Sequence, residues 1–151
     1  MKKFTAVVVA AAIGAGITAT AFAQTPPTDN LVRQRQGAML LQGKYFGPLA
    51  GMAAGKVPYN AETVARNAGY LDALSHMPWD AFTAETANTT LKTRALPEIY
   101  KDAAGFKSAA DRLSAATAKL VAEAKNEAGA KAAIGDINKA CAGCHDTYRA
   151  R

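Results

Sequence analysis

Cysteine and histidine are scarce in this sequence, with two of each in 151 residues, and there is a single tryptophan. Aromatics make up only 7 % of the chain, and no window alternates apolar and polar β-branched residues. That absence excludes a sheet protein. No dense block of lysine and arginine occurs, and basic residues are interleaved with acids, which argues against a nucleic-acid surface. Beyond residue 20 no apolar run is long enough to span a bilayer, so a soluble product is expected.

What is present points to helix. Half of the residues are hydrophobic, enough for one core in a chain of this length. Alanine, the strongest helix former, recurs through most of the chain. The first residues read as a targeting segment. Lys2 and Lys3 precede an apolar run from Phe4 to about Thr20, and Ala21-Phe22-Ala23 has the small-x-small form of a cleavage site. The expected organisation is a cleaved secretory signal over 1–23 and one mature domain over 24–151. Losing two lysines and no acid lowers the formal charge from +6 to +4.

Apolar spacing predicts four helices. The first runs from about Asp29 to Ala53 with an inward stripe of Val32, Arg35, Met39, Gln42, Phe46 and Leu49, two of them polar. The second opens after Pro58 with Asn60 as N-cap, carries Val64, Ala68, Leu71 and Leu74, and stops before Pro78. Residues 77–96 form the longest connection. A third helix starts at Pro97 with the stripe Ile99, Ala103, Phe106, Ala110, Leu113, Thr117, Leu120 and Ala124. Gly129 separates it from the fourth, Ala130 to about Tyr148, whose stripe is Ile134, Ile137, Cys141, Cys144 and Tyr148. Short connections make neighbours antiparallel. The expected fold is therefore all-α, an up-down-up-down four-helix bundle.

Three of the four cysteines and histidines fall in one pentapeptide, Cys141-Ala142-Gly143-Cys144-His145. This is the C-x-x-C-H pattern of c-type haem attachment. At 100° per residue, positions i, i+3 and i+4 share a helix face. Two thiols can then reach the two vinyl groups of one porphyrin while the imidazole of His145 points at the iron, and Gly143 leaves room beside the ring. A thioredoxin-like redox pair expects a βαβ context that is missing here. The expected cofactor is one covalently bound haem c in the bundle core. His76, at the end of the second helix, reads as a capping or solvated residue.

A C-x-x-C-H motif on the last of four helices resembles the cytochrome c′ family, the class II cytochromes c. The segments Arg35-Gln36-Gly37-Ala38-Met39, Leu74 to Trp79, Pro97-Glu98-Ile99 and Cys141 to Arg149 carry the resemblance over essentially the whole mature chain. It implies that Met39 stands over a vacant sixth iron position and that Arg35 meets a haem propionate with Gln36 nearby. It also implies that Trp79 and Phe82 lie near the distal side and that Arg149 lies beside His145. Tyr148 is expected in the same pocket. The connection 83–96 does not match the family closely.

The implied function is a periplasmic, pentacoordinate haem protein that binds NO or CO, transfers electrons, or does both. It would exchange electrons with a redox partner that the sequence does not identify and form a homodimer through its first two helices. The alternative is a six-coordinate electron carrier of the c-556 type with Met39 as sixth ligand. A haem enzyme would need a polar acid or base near Met39, and the first helix offers none.

Overall fold

The structure, a computed structural model, describes residues 27–151. The expected signal segment and its cleavage point lie outside the described residues. Among the described residues five helices follow in order: α1 (Pro27–Ala53), α2 (Ala61–Ser75), α3 (Glu98–Lys101), α4 (Ala103–Glu123) and α5 (Glu127–Tyr148). Two short 3-10 turns, Trp79–Ala81 and Ala84–Asn88, lie between α2 and α3. Among the described residues there is no strand, only an isolated antiparallel bridge between Ala95 and Arg149.

The four long helices close into a ring in which α1 packs on α2, α2 on α4, α4 on α5, and α5 back on α1. This is the antiparallel four-helix bundle. Leu49, Val64, Leu120, Ile134 and Ile137 are fully buried at its centre. Buried alanines, among them Ala68, Ala109, Ala116, Ala130 and Ala133, let the backbones approach closely. Among the described residues no helix is long and apolar enough to cross a membrane.

Side chains set the helix starts. Asn60, Asp102 and Asn126 accept the backbone N–H of Thr63, Gly105 and Gly129 at 2.7, 3.0 and 3.3 Å. After α1 the chain turns through Gly55, at φ +69°. Lys56 N–H bonds to Gly51 O and Gly55 N–H to Met52 O, the paired bonds that end a helix on a left-handed glycine.

Two boundaries differ from expectation. The third helix is broken at Asp102, whose backbone leaves the helical region at φ −119°, ψ 61° and whose carboxylate caps α4. The short polar side chain offers the backbone a local alternative to the helix ladder. As a result Ala103, expected on the inward stripe, is exposed. The last helix begins at Glu127 rather than Ala130, because Asn126 caps it and draws Gly129 into the first turn.

Candidate haem site

A cavity of about 840 Å³ opens between α1, α4 and α5 and is walled also by residues of the α2–α3 connection. Its size lies in the upper part of the range for cofactor pockets, roughly 300–1,000 Å³. Every residue expected at the site lines it: Arg35, Gln36 and Met39 from α1, Trp79 and Phe82 from the connection, Cys141, Cys144, His145 and Tyr148 from α5, and Arg149 just beyond it.

The motif residues occupy consecutive turns near the end of α5, where helical spacing puts positions 141, 144 and 145 on one face. Cys141 and Cys144 are half-buried free thiols. Burial pushes both thiols up. For Cys141 the neighbouring Cys144 adds to the effect, while for Cys144 the charge of Arg112 opposes it. Partial burial, followed by the charge of Arg94, lowers His145 below the ordinary imidazole range, with Asp146 opposing. The neutral ring this favours is the form that binds a metal.

From α1, Arg35 is only 2 % exposed. Its Nη1 donates to Ala81 O at 3.1 Å, Thr86 Oγ1 at 2.9 Å and Tyr100 OH at 3.3 Å. The guanidinium carbon lies 4.4 Å from the centre of the Phe82 ring. Nη2 is buried and has no hydrogen-bond partner among the described residues. Gln36 donates to Lys92 O at 3.0 Å. Met39 is half-buried and is the one methionine among the described residues that lines the cavity. Met52 is core and Met77 is exposed. His76 is exposed, caps the end of α2 and does not line the cavity.

Aromatic rings knit the remaining wall. Trp79 and Phe82 both meet Phe106, which in turn sets its edge against Tyr148 at 5.2 Å between centres. The Tyr148 hydroxyl donates to Asp102 Oδ2 at 2.7 Å. That bond, with a smaller contribution from burial, pushes Tyr148 up to about 12. The same bond, then the Gly105 N–H, holds the Asp102 carboxyl below the usual range.

Several site residues carried no site assignment from sequence. Phe106, Leu113 and Thr117 stood out as a core stripe, yet they line the cavity together with Ala109. Lys92, Thr93, Arg94 and Ala95 bring a second wall from the connection that sequence left blank. This segment is pinned along α5: Leu96 N–H bonds to Tyr148 O at 3.0 Å and Ala150 N–H to Arg94 O at 2.8 Å. Lys44, Lys92, Arg94 and Arg149 join Arg35 around the cavity, and no Asp or Glu among the described residues lines it.

The donor set fits haem. A largely apolar cavity suits a porphyrin face, two cysteines and a histidine share one helix face, and an excess of cations with an unpartnered buried guanidinium nitrogen suits propionate carboxylates. Fold and site together define a c-type haem protein built on a four-helix bundle.

Comparison with known proteins agrees. The sequence model of the family described as Cytochrome C′ matches residues 30–149. The chain is similar to a cytochrome c′ of Rubrivivax gelatinosus, 42 % identical over 120 residues, covering 78 % of this chain and 92 % of that protein. The solved structure of cytochrome c′ from that organism superposes with a TM-score of 0.79 at 40 % identity, covering 84 % of this chain and all of the other. A nitric oxide complex of a variant cytochrome c prime from Alcaligenes xylosoxidans gives a TM-score of 0.75 at 33 % identity, covering 85 % of this chain and 99 % of the other. A cytochrome c-556 of Agrobacterium tumefaciens is 32 % identical over 121 residues, 78 % of this chain and 95 % of that protein. The chain belongs to the cytochrome c′ family. It carries covalently bound haem c.

Proposed function

We propose that this protein is a periplasmic haem protein that binds small diatomic gases, NO and CO, on an open iron face and can also pass single electrons. Cys141 and Cys144 would bond haem c covalently, and His145 would ligate its iron. The observation that carries this reading is the cavity itself, which gathers the three motif residues on α5 with Met39 from α1. When bound, haem supplies an iron that takes a small ligand at a vacant position or changes oxidation state by one electron.

The chain's own residues do the rest. Arg35 Nη2 and the neighbouring Gln36 would hold a propionate. Trp79, Phe82 and Tyr148 complete the wall, and Arg149 stands near His145. Met39 presents an apolar thioether to the cavity, so water and anions that need hydrogen bonds are disfavoured while uncharged diatomics are admitted. Among the described residues lining the cavity there is no Asp or Glu, and His145 is the one histidine. No acid–base pair therefore stands near Met39, which favours gas binding and electron transfer over peroxidase-type turnover.

The nitric oxide complex of the Alcaligenes relative supports gas binding. A segment that reads as an export signal supports the periplasm, the compartment in which the mature chain, 24–151, would work. Exposed Leu41 and Tyr70, on α1 and α2, support a homodimer through these helices. A second reading, a six-coordinate electron carrier with Met39 as sixth ligand, is favoured by Met39 lining the cavity and by the c-556 relative.

Titration of the reduced protein with CO tests the proposal. A one-to-one shift of the haem absorption band at micromolar gas is expected. No shift at saturating CO would overturn gas binding and favour the second reading.

A further inference from the structure

His145 stands in the last turn of α5, which ends at Tyr148. Terminal turns of helices fray, so a ligand in that position is only as well placed as whatever holds the helix end. Here the end is held from one segment, residues 94–106. Two backbone bonds tie it there, Leu96 N–H to Tyr148 O at 3.0 Å and Ala150 N–H to Arg94 O at 2.8 Å. The third tie is a side-chain bond, from the Tyr148 hydroxyl to Asp102 Oδ2 at 2.7 Å, and Phe106 packs against the same ring.

The third tie is closely built in. Tyr148 is 6 % exposed and delivers its hydroxyl to the carboxylate that also caps α4. The approach needs glycine at 105, since a Cβ there would collide with both the Asp102 carboxylate and the Tyr148 hydroxyl. The break between α3 and α4 at Asp102 is what presents this carboxylate to α5. Arg149 N–H closes the His145 turn with a bond of 3.2 Å to His145 O, so movement of Tyr148 is passed one turn back to the histidine backbone.

We propose that Asp102 is a positioning residue for the haem ligand: through its hydrogen bond to Tyr148 it clamps the last turn of α5 and sets how firmly His145 is held toward the iron. The inference rests on His145 being the axial ligand. Asp102 lies outside the cavity lining and acts only through Tyr148. Removing the clamp leaves two backbone tethers, so the protein keeps its fold while the His145 turn loosens.

The test compares Tyr148→Phe, Asp102→Ala and Asp102→Asn in the haem-bearing protein. The control is Asn126→Ala, which removes a cap at the far end of α5. The first readout is the iron–histidine stretching band of the reduced protein by resonance Raman spectroscopy. The second is amide hydrogen exchange over residues 145–149. Tyr148→Phe and Asp102→Ala should lower and broaden the band and speed exchange roughly tenfold. Asp102→Asn, which keeps one oxygen to cap α4 and turns its amide NH2 toward the Tyr148 hydroxyl, should recover both only in part. Asn126→Ala should lower stability and leave the band in place. A parent band unmoved by Tyr148→Phe, or moved equally by Asn126→Ala, would overturn this inference alone. Absence of the band from the parent protein would mean a filled sixth position and overturn the open-face reading, while exchange over residues 145–149 left unchanged by Tyr148→Phe would overturn this inference by itself.

Discussion

Replacement of Arg35 by methionine separates what this residue does for the fold from what it does for the cofactor. The side chain is 2 % exposed, and all three of its hydrogen bonds run through Nη1, to Ala81, Thr86 and Tyr100. Each bond to a charged donor contributes about 1.5–3 kcal/mol, and the Phe82 ring adds about 0.5–2. Much of that sum is offset by the cost of burying the charge, several kcal/mol. The abandoned partners also retain bonds among themselves, since Thr86 Oγ1 lies 3.3 Å from Ala81 O and 3.2 Å from Tyr100 OH.

The fold-only cost of Arg35→Met should therefore be about 1–3 kcal/mol, read as urea unfolding of the chain prepared without haem. If Nη2 pairs with a propionate, as proposed, the cost in the haem-bearing protein should rise by about a further 1.5–3 kcal/mol. Arg35→Lys should recover only part of either loss, because a point charge cannot serve Nη1 and Nη2 partners together. Equal costs with and without haem would refute the pairing of Nη2 with the cofactor. A cost below about 1 kcal/mol in both forms would refute the anchoring role as well.

Three further outcomes are expected. The double variant Cys141→Ser, Cys144→Ser should lose its pigment on a denaturing gel, and pigment that still migrates with the chain would contradict attachment at these positions. Met39→Ala should speed CO association with the reduced protein by about tenfold, measured by flash photolysis, since a barrier lowered by about 1.4 kcal/mol has that effect; an unchanged rate would mean Met39 does not shield the iron. The Asp102 carboxyl, held low chiefly by Tyr148, adds stability above its unfolded value near pH 4 and loses it as pH falls through the lowered folded value. Asp102→Asn should flatten that acid limb in melting temperatures taken across about pH 2–5, and an unchanged limb would contradict the carboxylate's part in it.

The parts of the site legible in sequence were those set by local spacing. Cys141, Cys144 and His145 are readable because covalent attachment needs them within two turns of one helix. The inward face of α1 is readable because Val32, Arg35, Met39, Gln42, Phe46 and Leu49 keep the helical period, polar members included. Gln42 indeed points inward, donating to Leu74 O at the end of α2. Asp102 was not readable as a break, because apolar spacing from Ile99 to Phe106 continues across it while a single side-chain bond decides the backbone. The wall formed by Lys92 to Ala95 was invisible for a different reason. It is fixed by pairing with Arg149 more than fifty residues away and carries no periodic signal of its own. The partners of Arg35, Thr86 and Tyr100, are likewise brought in by the course of the connection rather than by any motif.

The central claim is that His145 binds the iron while the face toward Met39 stays open. Low-temperature electron paramagnetic resonance of the ferric protein, with its optical spectrum, tests it most directly. The account predicts a high-spin signal with no methionine–iron charge-transfer band. A low-spin six-coordinate signal carrying that band would contradict it and make Met39 a ligand.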